Sequence, residues 1–284
     1  MGFASFKEVL TDGLKNGYAV GQFNVNNLEF LQAIVEVAEE ERSPVILGVS
    51  EGAMKYMGLE YTVTMAKAAA EKASVPVILH LDHGSSYQVV LKCIRAGFSS
   101  IMIDASHYPL EENIAKTKQV VDACHVLGID VEGELGRIGG TEDDLTVDER
   151  EASLAIPEEA QRLVQETGID ALAPAIGSAH GPYKGKPELD FDRLAKIRDL
   201  TGVPLVLHGG SGIPDEDIRK AISLGVSKIN VNTENQIAFT AKVREILNNN
   251  AKVYDPRKIL GPAREAIKEV VREKIRLFGS NDRC

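Results

Sequence analysis

Short apolar runs alternate along the chain with longer segments in which apolar residues recur with a helical period. Eight runs rich in Val, Ile and Leu predict strands over 18–25, 44–50, 75–83, 99–106, 128–136, 168–178, 202–210 and 226–233. Apolar residues at i, i+3, i+4 and i+7 predict helices over 28–40, 61–72, 110–128, 158–168, 191–202 and 214–225. Pro214 fits the first position of the last of these helices. The alternation predicts parallel strands that are joined by helical crossovers.

Eight strand–helix units in 284 residues predict an α/β fold, a closed (β/α)8 or TIM barrel, which takes roughly 250 residues. An open, doubly wound sheet is the alternative. An extra N-terminal helix over 5–15 would cover the lower end of the barrel, and C-terminal helices over 234–248 and 262–277 would complete its outer shell. Since the sequence contains no Pro/Gly-rich linker and no change in composition, we expect one domain over residues 1–284.

Unusual polar side chains occupy the positions where the predicted strands end. They are Asn24, Ser50, Asp82, His83, Asp104, Glu132, Glu134, Ser178, His180, His208, Asn230 and Asn232. The active site of a (β/α)8 barrel lies at the carboxyl ends of its strands. We therefore expect these side chains to converge on one mouth of the barrel.

Histidine is scarce, with six residues in the chain, and three of them fall at or just after strand ends: His83, His180 and His208. Three neutral imidazoles that leave a further position open are typical of catalytic zinc. The sequence therefore predicts a metal site on these histidines. His80 lies inside the third predicted strand, where we expect a core or supporting role rather than metal ligation.

Two carboxylates adjoin this site, and each admits more than one role. Asp82 either orients the neighbouring histidine or serves as a general acid or base beside the metal. Glu134 is a metal ligand, a support for a ligand, or a hydrogen-bonding group at the mouth. The acidic segment 136–144 is either a solvated surface loop or a mobile lid that brings Glu142 to the substrate.

The segments after the seventh and eighth strands predict a phosphate site. Residues 208–212 are rich in glycine, residues 230–233 carry two asparagines, and each segment leads into a helix. Backbone N–H groups at helix N-termini bind phosphate without a basic side chain, and these two loops are the frequent phosphate site of this barrel. A chain with a net charge of −10 is thereby able to hold an anionic substrate.

The composition of the chain argues against two classes of binding partner, nucleic acids and membranes. A net charge of −10 without a basic patch argues against nucleic acid. No apolar run approaches the roughly 20 residues of a membrane helix, so we expect no membrane partner. The N-terminal segment lacks the apolar core of a signal peptide, and the three cysteines form no CxxC pair or disulfide framework. We therefore expect reduced thiols and a cytoplasmic location.

The chain resembles the class II, zinc-dependent fructose-bisphosphate aldolases in five motifs, which are HLDHGSS (80–86), GELGRIGGTEDD (133–144), GSAHGPYKG (177–185), LHGGSG (207–212) and KINVNTENQ (228–236). The likeness runs from residues 18–24 to residues 254–269. It implies a (β/α)8 barrel that reversibly cleaves a ketose 1,6-bisphosphate, most of all fructose 1,6-bisphosphate, to dihydroxyacetone phosphate and glyceraldehyde 3-phosphate. The reaction would pass through a zinc-stabilised enediolate.

The resemblance implies one catalytic zinc ion per chain on three histidine ligands: His83, His180 and His208. Glu134 would be a further carboxylate at the metal. Asp82 would protonate the carbonyl oxygen of the aldehyde partner, and Glu142 would remove a carbon-bound proton from dihydroxyacetone phosphate.

The resemblance and the strand-end positions together assign substrate binding to Asn24, Ser50, Gly181, Gly209, Gly210, Ser211, Asn230, Val231, Asn232 and Thr233. Arg257 would bind the far phosphate across a dimer interface; the alternative is a solvated surface arginine before the last helix. A homodimer or homotetramer is therefore expected. Sugar phosphates would be the small-molecule partners, and a monovalent cation a second cofactor.

Other functions stay open at this point. The stretch 135–156 and Ala179 resemble aldolases for tagatose 1,6-bisphosphate, so preference for that sugar or dual specificity is the main alternative. A Schiff-base aldolase needs a desolvated lysine at the site, and Lys228 begins the eighth strand at the end opposite the site. A non-catalytic barrel that only binds sugar phosphates would have lost a ligand or the acid, yet Asp82, the three histidines and Glu142 are present.

Overall fold

Eight parallel strands close into a barrel, as the alternation of strands and helices predicts. The structure is a computed structural model that describes residues 2–142, 145–147, 153–183, 185 and 187–284, and their side chains except at 142 and 145–147. The barrel strands are β1 Val20–Asn24, β2 Val45–Val49, β3 Val77–Gly84, β4 Ser100–Ile103, β5 Asp130–Leu135, β8 Ala171–Pro174, β10 Leu205–Leu207 and β11 Val226–Val231. They follow the order β1-β11-β10-β8-β5-β4-β3-β2, and β2 returns to pair with β1. The closed barrel confirms the predicted fold class, and the open-sheet alternative is wrong.

Helices connect the strands and cover the outside of the barrel. They are α1 Phe6–Asn16, α2 Leu28–Glu40, α3 Glu51–Met57, α4 Leu59–Lys72, α5 Tyr87–Ala96, α6 Leu110–His125, α7 Pro157–Thr167, α8 Phe191–Thr201, α9 Asp215–Ser223, α10 Thr233–Asn249 and α11 Pro256–Phe278. Their apolar faces join one core with the outward side chains of the strands; Ile34 and Val37 of α2, for example, are fully buried with Phe23 of β1. This packing holds the strand ends in place around the mouth.

Two predicted helix starts are wrong. Pro214 precedes α9 as its N-cap residue, because its ψ of 142° is extended rather than helical. α11 begins at Pro256 instead of residue 262, since the Asp255 side chain caps it by accepting a hydrogen bond from the Arg257 N–H at 3.0 Å. Pro262 therefore lies inside the helix. The Asp-Pro pair is a start signal that the apolar period alone does not contain.

The segment after β5, expected to be a loop, contributes to a small sheet. This sheet consists of β6 (Gly139–Glu142), β7 (Leu145–Val147) and β9 (Ala179–His180), with β6 in the middle. β6 runs antiparallel to β7 and parallel to β9. Glycine is required at position 140, because a Cβ atom there would lie 2.1 Å from the carbonyl oxygen of His180. The loop prediction is therefore wrong for Gly139–Glu142, which the sheet ties to a strand that carries a predicted metal ligand.

The N-terminal helix α1 covers the lower end of the barrel, which confirms the predicted extra helix. Its Phe6 and Leu10 are fully buried against barrel side chains that include Ile46 and Ile78. The Phe6 ring stacks on His80, with ring centroids 5.0 Å apart and planes within 5°. His80 therefore lies in the core, and the barrel interior is closed on the side away from the mouth.

The cysteines are free thiols, with Cys93 and Cys124 buried and Cys284 exposed. Burial raises the pKa of both buried thiols to about 12, so they stay protonated at neutral pH. Within the described residues, no helix is both long enough and apolar enough to cross a membrane.

Candidate active site

Asp82 and His83 are adjacent in β3, yet both reach the mouth of the barrel. In a regular strand, consecutive side chains point to opposite faces of the sheet. Here the register between β3 and β4 shifts between Leu81 and Gly84, and His83 has a φ of 49°. A left-handed φ at a non-glycine residue costs about 1–3 kcal/mol, and such strain concentrates at functional sites. The bulge and the strained backbone together turn both side chains to the same place.

Three histidine side chains converge at this mouth: His83, His180 and His208. Their candidate ligand nitrogens lie within 4.8 Å of one another. The Nε2 atom of His83 lies 2.9 Å from the Nδ1 atom of His208. The structure therefore brings together the three predicted ligands, which come from β3, from β9 and from the residue after β10.

Carboxylates hold the opposite ring nitrogens of two of these histidines. Nδ1 of His83 lies 3.1 Å from Oδ2 of Asp104, and Nε2 of His208 lies 2.9 Å from Oε1 of Glu132. A neutral imidazole carries one N–H, which donates to the carboxylate and leaves the other nitrogen as a lone-pair donor. Three imidazole nitrogens that converge in this way, two of them on rings held by a carboxylate, fit a zinc ion.

Glu134, predicted at the metal, lies beside these histidines. Its Oε2 atom is 3.9 Å from His83 Nδ1 and 4.0 Å from His208 Nδ1. Burial and the nearby Asp104 raise the pKa of Glu134 well above its ordinary value. Glu134, Asp104 and His83 also form a second group of donors that are close enough together to hold a metal ion. A bound cation would relieve the repulsion between the two carboxylates.

Asp82 is fully buried, and two amides fix its position. Asn24 Nδ2 donates to Oδ2 at 2.9 Å, and Asn230 Nδ2 donates to Oδ1 at 3.3 Å. The carboxylate therefore has one orientation, and neither hydrogen bond comes from a metal ligand. This arrangement suits a group that exchanges a proton with the substrate rather than one that orients His83.

A buried charged cluster, which the sequence analysis missed, lies behind His208. Glu132 Oε2 lies 2.8 Å from Lys228 Nζ and 3.6 Å from His80 Nε2. Burial opposes ionisation of Glu132, but Lys228 and His208 outweigh burial and hold the pKa of Glu132 below its ordinary value. Burial and Lys228 lower the pKa of His80 to about 3, so this imidazole is neutral. The sequence contained a signal for this cluster. Glu132 and Glu134 are two residues apart on β5, and residues i and i+2 of a strand point to the same face.

Lys228 is not at the far end of the barrel, as the sequence analysis placed it. It is the third residue of β11, and its side chain is fully buried. An amine that is enclosed and paired with Glu132 is unable to meet a carbonyl substrate, so the geometry disfavours the Schiff-base alternative.

A cavity of about 850 Å³ opens beside His180. The predicted substrate-binding residues that line it are Gly181, Gly209, Ser211, Asn230, Asn232 and Thr233. The Gly210 N–H donates to the Asn230 carbonyl at 3.0 Å, which joins the two predicted phosphate segments. α10 begins at Thr233, so the N-terminus of a long helix opens on the cavity, where it favours an anion.

Four other predicted substrate-binding residues, Asn24, Ser50, Gly210 and Val231, do not line this cavity. Asn24 contacts Asp82 instead, and the Ser50 hydroxyl caps α3 by accepting a hydrogen bond from the Ala53 N–H at 3.2 Å. Val231 is fully buried in the hydrophobic core, so its side chain is not available to a ligand. Glu142 belongs to β6, next to Thr141 at the cavity wall, but its side chain lies outside the described residues.

Arg257 lies apart from the cavity of its own chain. Its side chain is 90% exposed and pairs with Asp255 at 3.0 Å. Arg257 lies in the first turn of α11. The surface alternative, which placed it before the last helix, is wrong on this point.

Tyr183 is another site residue that the sequence analysis missed. Its hydroxyl accepts a hydrogen bond from the Ala179 N–H at 2.9 Å and donates to the Gly209 carbonyl at 3.0 Å. These partners directly adjoin His180 and His208. The phenol therefore links the two backbone segments that present these histidines, and its place in the motif GPYKG was the available signal.

Comparison with known proteins agrees with this geometry. Residues 4–283 match the family model of class II fructose-bisphosphate aldolases. The fructose-bisphosphate aldolases of Geobacillus stearothermophilus and Staphylococcus aureus (strain Mu50) are 59% and 58% identical over 287 residues, covering 100% of this chain and 99% and 100% of the relatives. The crystal structure of the YdjI aldolase from Escherichia coli K12 matches with a TM-score of 0.87 and 39% identity, over 99% of this chain and 98% of that chain. The chain thus belongs to the class II fructose-bisphosphate aldolases, a family of metal-dependent lyases.

Proposed function

We propose that the chain uses one zinc ion to cleave fructose 1,6-bisphosphate to dihydroxyacetone phosphate and glyceraldehyde 3-phosphate, and to join them in reverse. The observation that carries the proposal is the convergence of three histidine nitrogens within 4.8 Å of one another. Asp82, the residue that precedes His83, lies beside them. The full-length identity with two fructose-bisphosphate aldolases favours this sugar over tagatose 1,6-bisphosphate.

His83, His180 and His208 would hold the zinc, with Glu134 as the adjoining carboxylate. Bound zinc supplies a Lewis acid that polarises the ketone of the substrate and stabilises negative charge on its oxygen. Asp104 and Glu132 orient two of the imidazoles. Asp104, Glu134 and His83 place oxygen and nitrogen donors close together, which suits a divalent cation such as zinc.

Asp82 is the proposed acid and base at the aldehyde end. In cleavage it accepts the proton of the C4 hydroxyl, and in condensation it returns that proton to the aldehyde oxygen. Asn24 and Asn230 hold its two oxygens, so no reorientation is needed between the directions. Glu142 is the proposed base for the carbon-bound proton of dihydroxyacetone phosphate. β6 supports this role because it pairs with β9, which presents His180.

The phosphate of dihydroxyacetone phosphate would lie against Gly181, Gly209, Ser211 and the start of α10, where backbone N–H groups and the helix dipole favour an anion. The family resemblance also supports a monovalent cation as a second cofactor, which a comparison of rates in potassium and sodium salts tests. Reduced thiols and intracellular sugar phosphates support a cytoplasmic location. Cell fractionation tests that location.

The first experiment compares cleavage of fructose and tagatose bisphosphates before and after EDTA treatment and zinc restoration. We expect kcat/KM to be roughly tenfold or more higher for the fructose sugar, because the two sugars differ in the configuration at C4, where Asp82 acts. We expect EDTA to abolish turnover on both sugars and zinc to restore it. Equal or faster cleavage of the tagatose sugar would reverse the substrate assignment. Turnover that resists EDTA would contradict the metal mechanism, and no turnover on either sugar would favour the non-catalytic barrel.

A homodimer is proposed because the exposed Arg257 does not line the cavity of its own chain. Apolar side chains at the cavity wall are exposed, with Tyr56 at 79% and Ile237 at 54%, and a second copy would cover them. We expect sedimentation to show a dimer or a tetramer, and Arg257→Ala to raise KM for the bisphosphate while leaving the assembly intact. Arg219→Ala, at an exposed arginine that also pairs with an aspartate, is the control. A monomer with full activity would rule out a contribution from a second copy.

A further inference from the structure

Lys228 and Glu132 form a fully buried ion pair inside the barrel, and the proposed chemistry gives Lys228 no role. They lie on β11 and β5, with Nζ 2.8 Å from Oε2, and both side chains have no exposed surface. Burying such a pair costs several kcal/mol per ion in lost hydration, and apolar residues of similar size often serve stability as well or better. Stability alone therefore gives a weak reason for charges at this position.

The pair reaches a proposed metal ligand through the second oxygen of Glu132. Oε1 lies 2.9 Å from Nε2 of His208, while Oε2 faces Lys228. An ionised carboxylate only accepts hydrogen bonds, so the ring proton of a neutral His208 lies on Nε2. Nδ1 then has its lone pair directed toward the other histidines, 2.9 Å from Nε2 of His83.

Neighbouring side chains restrict the movement of Glu132. His80 Nε2 lies 3.6 Å from the same Oε2 that contacts Lys228, and its Nδ1 lies 2.8 Å from the Ser100 hydroxyl. The Phe6 ring of α1 stacks on the His80 ring. The carboxylate is thus enclosed between a cation, an imidazole and the ligand that it supports.

We propose that Lys228 is a positioning residue for the metal, acting through Glu132 on His208. Its ammonium group holds the Glu132 carboxylate in the orientation that keeps the His208 proton on Nε2 and presents Nδ1 to a divalent ion. Lys228 touches neither substrate nor metal in this role. The inference rests on the proposed metal site. It adds Lys228, a buried lysine inside the barrel, to the residues that raise the affinity for the metal.

The direct test is the zinc affinity of the metal-free protein, measured by competition with a chromophoric chelator. We expect Lys228→Met to weaken zinc binding by about 10- to 100-fold, the range found when a group that orients a ligand is removed. We also expect a changed visible absorption spectrum of the cobalt-loaded protein. Gln22→Met is the matched control, because Gln22 is a fully buried polar residue on β1, next to β11, and its side-chain amide makes no hydrogen bond among the described residues. The control should keep the zinc affinity and the cobalt spectrum of the wild type.

A double variant separates positioning from stability. Lys228→Met leaves the Glu132 charge buried and unpaired, which is strongly destabilising. Glu132→Gln combined with Lys228→Met removes both charges, so we expect the melting temperature to recover. Zinc affinity should stay about tenfold low, since a neutral amide supports the imidazole less well than a carboxylate.

A purely structural role for Lys228 predicts wild-type zinc affinity in a folded Lys228→Met protein, and that result would overturn the inference. Wild-type affinity in the double variant would also overturn it, because the proposed effect passes through Glu132. Failure of the wild type itself to bind zinc would contradict the proposed function instead. The two failures are therefore distinguishable.

Discussion

Asp82→Asn should reduce kcat for cleavage by about 10³-fold while leaving the zinc content unchanged. The amide has nearly the shape of the carboxylate, but it is unable to take the hydroxyl proton in cleavage or to return it in condensation. Packing should tolerate the change, because Asn24 and Asn230 each have an Oδ1 atom without a hydrogen-bond partner, and turning one amide would offer it to the new NH₂ group. A coupled assay gives kcat, and elemental analysis gives the zinc content.

Glu142→Gln is the matched comparison, since it alters the other proposed proton-transfer group. Exchange of the carbon-bound proton of dihydroxyacetone phosphate needs the base but not the aldehyde, so NMR in deuterated water tells the two roles apart. We expect exchange to slow by a similar factor in Glu142→Gln and to continue in Asp82→Asn. Normal turnover of Asp82→Asn would remove Asp82 from the chemistry, and unchanged exchange in Glu142→Gln would do the same for Glu142.

His208→Ala should remove most of the zinc and, with it, nearly all activity. Zinc sites with four protein ligands bind with about 10–16 kcal/mol, so one ligand is worth roughly 3 kcal/mol, or a factor of ~10² in affinity. The loss should be at least this large, because the change also leaves Glu132 Oε1 without the hydrogen bond that His208 makes at 2.9 Å. Equilibrium dialysis against a zinc buffer measures the affinity.

His125→Gln is the control for this experiment, because its Nε2 contacts Asp170 at 2.9 Å, away from the three histidines. It should keep full zinc affinity. If His208→Ala bound zinc as tightly as the wild type, the ligand set would be wrong. The neighbouring group of His83, Asp104 and Glu134 would then be the better metal centre.

Much of the fold and part of the site could be predicted from local patterns. The apolar period distinguishes strands from helices, and the parallel crossovers that follow place every strand's carboxyl end at one mouth. Polar residues at those ends, including His83, His208 and Asn230, were therefore expected to meet. The first strand and α1 were correct because each depends on a pattern within one segment, and the barrel class was correct because the strand–helix pattern repeats eight times.

Backbone features that break a period could not be predicted in this way. Asp82 and His83 both reach the mouth because of a bulge and a left-handed φ at His83. The Asp-His pair in the sequence predicts neither feature. The predicted loop forms β6 because Gly140 lets the chain approach His180 closely. The last helix begins at Pro256 because a cap, rather than an apolar repeat, starts it.

By itself, then, the sequence determined the barrel class, the strand ends that form the site and the three histidines at its centre. Only the tertiary structure decided which groups meet across the barrel: Lys228 with Glu132, and Glu132 with His208. These contacts join β11, β5 and the end of β10, so they depend on how the sheet closes and in which register. Neither the closure of the sheet nor its register can be predicted from the pattern within one segment. The period of a strand indicates which residues face inward, but not which residues of other strands lie opposite them.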